Sequence, residues 1–338
     1  MKIFAKVMVI TAAVIVAALF IGFAAAGFSW DNVKAAFNAD EDFTLEVEEG
    51  AWDFTAVEFD LESNSVEILP SDDGNFSISY YHSEYYIMEY GTDDGVLSLS
   101  GEYKRGYFWK WLKATSAKVS TVTLRVPAGS AFAADIDTVN GRITVEDTVL
   151  ESGSFSAVNG RVSIKDCQVS GELIISATNG LVNVEGVQAY RVNVNTVNGA
   201  ITLKNVTAEQ DVDCGTVNGM VSLTNISAGS AAKAATTTGA VVISDSSAPL
   251  ISGMTVNGEV KLTGVTGQSI KAKTTNGSVT AKVSGSADSF SAKVSTVSGS
   301  IYVDGVKLGS QTLNPSAPYS LECTTVNGSV TVNFIEGN

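Results

Sequence analysis

The residues able to do chemistry are few, and their spacing limits what they can do. His82, within "YYHSEYY", is the only histidine in 338 residues, so a Ser-His-Asp or Cys-His site would have to use it. A lone histidine among tyrosines reads as a packing or surface residue. Cys167, Cys214 and Cys323 are the only cysteines, and with one histidine they make no zinc cluster. Two carboxylates can hydrolyse a glycosidic bond, which makes the aspartate pairs worth following. Asp135 and Asp137 are answered 19 residues later by Ser154 and Ser156, and Asp211 and Asp213 by sequence rich in Gly and Ala. Asp147 and Asp166 recur where a turn residue is needed in any case. No Asp-x-Asp-x-Asp-Gly loop is present, and no glycine-rich phosphate loop opens a helix. The reading is of a non-enzymatic protein with no catalytic residues, no cofactor and no metal.

One stretch offers binding chemistry. In "EYKRGYFWKWLKATSAK", residues 102–118, Tyr107, Phe108, Trp109 and Trp111 interleave with Lys110 and Lys113. Aromatics and cations together suit a loop resting on a lipid surface or an anionic wall polymer. The competing reading is a hairpin whose aromatics plug the end of a rod. The net charge of −15 excludes nucleic acid as a partner. Acidity is local: residues 39–101 hold 17 Asp and Glu and no Lys or Arg, a solvated face.

These groups are carried by a repeat. "NTVNGAITL" recurs in close variants, with corners at Asn140-Gly141, Asn159-Gly160, Asn179-Gly180, Asn198-Gly199, Asn218-Gly219, Asn257-Gly258, Asn276-Gly277 and Asn327-Gly328, and with Thr238-Gly239 and Ser298-Gly299 as variants. Spacings run from 19 to 22 residues, except for a last interval of 29. Aliphatics follow each glycine at the second and fourth positions with polar residues between, the period of a half-buried strand. Asp, Asn or Gly stands at the sixth position in eight of the ten copies, where a sharp corner tolerates positive φ. Same type at same offset, unit after unit, predicts an all-β parallel β-solenoid of about 20 residues per coil, its coils about 4.8 Å apart. Nine intervals give a rod of roughly 43 Å. Glycine is expected where a Cβ would strike the next coil, and asparagine where amides stack as a ladder. Cys214 and Cys323 share a column five coils apart, roughly 24 Å, so no disulfide is expected. The long last interval, around "KLGSQTLNPSAPYS", predicts a loop guarding the C-terminal end, and the last strand is expected to leave an open edge.

Lys2 and Lys6 precede residues 7–28, 22 residues without a charge. As a helix these span roughly 33 Å, enough for a bilayer. The lysines place the N-terminus in the cytoplasm and the body outside. Ala24 and Ala26 supply the rival reading, a cleaved signal peptide and a secreted body. The expected organisation is therefore a cytoplasmic stub and transmembrane anchor at 1–28, a linker at 29–41, an irregular β-rich N-terminal cap region at 42–133 and the solenoid at 134–338. Within the cap, "NSVEI" at residues 64–68 reads as a degenerate repeat start.

The T-V-N-G-x-[VI]-x-[VIL] pattern, the anchor before it and the "TVTLRVPAG" strand resemble a bacterial domain family of unknown function known as putative adhesins. The resemblance covers residues 43–338 and implies an extracytoplasmic, β-helical, non-enzymatic protein of the cell envelope; the family brings no catalytic residues with it. The expected role is a membrane-tethered adhesive or structural module whose partners are the membrane and a wall polymer, glycan or envelope protein. The alternatives are an accessory component of an envelope-stress sensor and a glycan-active β-helix enzyme.

Overall fold

The computed structural model describes residues 43–72, 74–83, 86–103 and 121–335. The expected anchor at 1–28, the linker at 29–41 and the aromatic-basic stretch from Tyr107 to Lys113 lie outside these residues. Among the described residues no helix is long and apolar enough to cross a membrane.

The coil that turns at Gly199 shows what the sequence alternation does. Its strand Gln188–Thr196 leads into the corner and Ile201–Ala208 leaves it. Val192, Val194, Ile201, Leu203 and Val206 are fully buried, while Asn193, Asn195, Thr202 and Lys204 face water. Asn205, at φ +54°, bends the chain onto a short third side. The next coil repeats this in parallel register, Val192 beside Val212, Val194 beside Cys214 and Ile201 beside Val221. Each coil thus has an approach face, an exit face and a third side around one aliphatic column, where a buried Val, Leu or Ile contributes about 1.5–3 kcal/mol.

The stack is longer than the motif and not in chain order. Among the described residues it holds twelve coils, or about 53 Å at the usual strand spacing. Numbered along the rod, coils 3 to 10 carry Gly141 through Gly277 in sequence. Coil 2 is Ala56–Leu61 with Ser65–Ser71, paired in parallel with coil 3 and confirming the degenerate start at Asn64. Coil 1 lies beyond it yet comes later in the chain, Val96–Tyr103 with Thr121–Pro127. The far end mirrors this. The last strands, Tyr319–Thr324 and Val330–Ile335, form coil 11 against coil 10. The earlier pair, Phe290–Ser295 and Ile301–Val303, is pushed out to coil 12. The expectation of an open edge at the final strand is therefore corrected: Val330–Ile335 has a parallel neighbour on each side. The boundary expected at 133/134 falls inside the strand Ala131–Thr138, and the rod runs through it.

Antiparallel strands close both ends. Tyr86–Asp93 pairs with coil 1 on the approach face, and Phe76–His82 pairs with it on the exit face, carrying Thr44–Gly50 outside it. At the other end Gln311–Leu313 and Val306–Leu308 cover the two faces of coil 12. These two strands are the guarding segment expected from the long interval. Aromatics fill the tips: Trp52, Phe54, Phe76 and Phe132 meet edge to face at 5.1–6.2 Å at one end, and Phe290 packs on Tyr319 and Phe334 at the other.

Candidate functional surface

The corner residues are placed as a scaffold. A Cβ at Gly160, Gly180, Gly199, Gly219, Gly258 or Gly277 would fall on the carbonyl oxygen of the corner glycine one coil below. That carbonyl is also an acceptor: Thr216 Oγ1 donates to Gly199 O at 3.0 Å, and Thr255 and Thr274 do the same in their coils. The threonine of the motif is thus a hydrogen-bond donor to the coil below. Asparagine amides bond from coil to coil at 2.8–2.9 Å, from Asn140 through Asn159, Asn179 and Asn198 to Asn218. Thr238 interrupts the ladder, which resumes from Asn257 to Asn276 and Asn327. Gly328 and Asn327 stack directly on Gly277 and Asn276, skipping Gly299 and Ser298, which close the end.

The candidate chemical residues are dispersed. His82 Nε2 lies 3.0 Å from Glu46 Oε1 in a half-exposed pair on the outer end strands. The three thiols are free and buried. Cys214 and Cys323 are four coils apart, roughly 19 Å rather than 24 Å because of the coil exchange. Desolvation pushes Cys167 up to about 11 and Cys323 up to about 12, and raises Cys214 further. Such thiols are inert as nucleophiles. Asp147 and Asp166, at φ +50° and +51°, serve the second corner.

Two surface features were not visible in the sequence reading. The first concerns Asp135 and Asp137. Toward coil 4 they meet Ser154 and Ser156, as expected, but toward coil 2 they meet Glu58 and Asp60 in register. With Glu89 these line an open cleft of about 450 Å³ on the approach face. Among the described residues none of the four stacked carboxylates has a cation within ion-pair distance. Among the described residues its lining holds no Lys, Arg or His, and these residues offer negative potential rather than an acid–base couple. Among the described residues no group of three or more His, Cys, Asp or Glu is placed to hold a metal ion.

The second feature is the valine of the motif. Val139, Val158, Val197, Val217, Val256 and Val326 point outward, 38–44% exposed, along the edge between approach and exit faces. Leu181 and Met220 are exposed beside them. A β-branched residue suits the extended backbone before the corner, and its outward direction makes an apolar ridge along the rod. The signal was present in the letters: valine sits one residue out of phase with the buried threonine.

The chain belongs to the Toastrack DUF4097 family, whose pattern matches residues 54–333. Among solved structures it is similar to a putative adhesin from Bacteroides fragilis NCTC 9343, at 14% identity and a TM-score of 0.41, covering 86% of this chain and 97% of that one. A putative adhesin from Parabacteroides merdae ATCC 43184 is similar at 15% identity and a TM-score of 0.39, covering 88% and 98%. A putative lipid binding protein from Parabacteroides distasonis ATCC 8503 has 12% identity, a TM-score of 0.39 and the same coverages. No curated protein matches.

Proposed function

We propose that this protein is a non-enzymatic binding module of the cell envelope, tethered through residues 7–28 with its rod outside the membrane. The observation that carries this reading is how the repeat spends its residues. Asn, Gly and Thr are consumed in corners and ladders, the thiols are buried, and what faces outward is an apolar ridge and a long flat face. Such a surface suits an extended partner more than a small substrate. Residues 102–118 add an interfacial contact to lipid or wall polymer.

Two measurements test this. Protease added to intact cells is expected to digest the rod while sparing a short N-terminal fragment; a rod protected until the cells are lysed overturns the topology. Trp109→Ala with Trp111→Ala is expected to lower binding to anionic vesicles or isolated cell wall at least about tenfold, as loss of two interfacial aromatics implies. Unchanged binding removes the aromatic stretch from the interface.

A further inference from the structure

The approach face segregates its charge. Coils 2 and 3 present Glu58, Asp60, Asp135 and Asp137, and coils 10 to 12 present Lys271, Lys273 and Lys293, with Glu322 between them. Between the two ends the outward positions include Ser154, Ile174, Asn195, Gly215, Ala235 and Met254, and the charges among them pair within the face, Arg191 with Glu172 and Asp211, and Lys233 with Asp213. The exit face is built otherwise, with Glu146, Lys165, Glu185 and Lys204 alternating coil by coil and Lys204 reaching Glu185 at 2.7 Å. On the approach face the stacked Glu58, Asp60, Asp135 and Asp137 lack a cation within ion-pair distance among the described residues. Directly stacked like charges destabilise a sheet, so the four carboxylates favour a cationic neighbour.

We infer that two copies of this chain pack approach face to approach face, antiparallel, about a two-fold axis along the strand direction. The inference deepens the binding role proposed above by naming a partner. That axis reverses coil order and keeps strand position, so coil 3 meets coil 10: Asp135 faces Lys271 and Asp137 faces Lys273 of the second copy. Coil 2 meets coil 11, which sets Glu58 opposite Glu322; there Glu322 is held by Lys273 at 2.7 Å and Lys293 at 3.3 Å and is lowered below the usual carboxylate range by the hydrogen bond from Lys273 and by Lys293. At the centre coil 6 meets coil 7, which sets Arg191 of each copy opposite Asp211 of the other. Parallel packing would set all four carboxylates of coils 2 and 3 on carboxylates. A face of about 53 Å by about 16 Å, on the order of 850 Å² per copy, matches a standard specific interface, and the arrangement closes as an isologous dimer.

The test uses full-length protein in its membrane. Within one chain Asp137 and Lys273 are seven coils apart, roughly 34 Å, beyond any disulfide, and the native thiols are buried. D137C/K273C is expected to give a covalent dimer under mild oxidation, and D137C or K273C alone is not. Raising salt from about 0.01 M to about 1 M, which shortens the screening length from roughly 30 Å to roughly 3 Å, is expected to cut the yield at least about fivefold. D135K added to the cysteine pair is expected to abolish the product and D135K with K271E to restore it, which a merely misfolded variant would not do. Equal cross-linking by D137C alone, or no dimer from D137C/K273C at low salt, overturns the inference. Surface accessibility of the rod is measured separately, so failure of the envelope role and failure of the pairing are distinguishable.

Discussion

A methyl group added at Gly199 would land on the carbonyl oxygen of Gly180, which is backbone and cannot swing aside. Gly199→Ala is therefore expected to destabilise the rod by about 3 kcal/mol, the upper end of overpacking costs. Gly309→Ala, where nothing lies within 4 Å, is expected to be near neutral; denaturant midpoints compare the two. Asn198→Ala removes two ladder bonds and is expected to cost about 1 kcal/mol. The thiols make a pH prediction. Unfolded cysteine ionises near pH ~8.5, whereas Cys167 and Cys323 wait until about 11 and about 12. The unfolded state thus releases protons first, and stability, complete below pH ~8.5, falls as pH rises through that window by up to about 1.4 kcal/mol per thiol per unit. C167A/C214A/C323A is expected to flatten the slope between pH 8 and 10; an unchanged slope counts against the assignment.

Strands at the tips carry a different burden from those in the middle. An uncovered parallel edge invites pairing with other chains, and here Val306–Leu308 and Gln311–Leu313 cover coil 12 while Leu308 and Leu313 pack on the core. Leu308→Asp with Leu313→Asp is expected to unseat this cover and produce rod-to-rod assemblies detectable by sedimentation, the monomer's strand signal being retained. At this scale the sequence was readable where residues act through their nearest chain neighbours. The corner glycines, the positive-φ column and the asparagine ladder follow from offsets within one period. What was hidden is which coil sits beside which. Identical columns fit any neighbour, so nothing in Gly277, Gly299 and Gly328 says that the last lies between the other two. The same blindness concealed Glu58 and Asp60 beside Asp135 and Asp137, since those pairs are separated by 77 residues of chain.

The molecule as a whole should tolerate loss from its middle better than from its end. Deleting residues 200–219, one period, joins Gly199 to Met220 and leaves the columns in register. A shorter rod with a cooperative transition close to the parent's is expected, as nearest-neighbour stacking implies. Ending the chain after Pro315 instead extracts coil 11 from between coils 10 and 12 and is expected to abolish cooperative unfolding of that end, measured by calorimetry and amide exchange. Were the truncation as mild as the deletion, the exchange of coils would be refuted. That exchange also decides how the rod answers a pull. The strand Val330–Ile335 is bonded along both flanks, to Val279–Ser284 and to Ile301–Val303, with hydrogen bonds lying across its own direction. Tension drawn along it loads those two rows simultaneously in shear rather than unzipping them singly, so a surface rod gripped at this strand would hold until many bonds failed together.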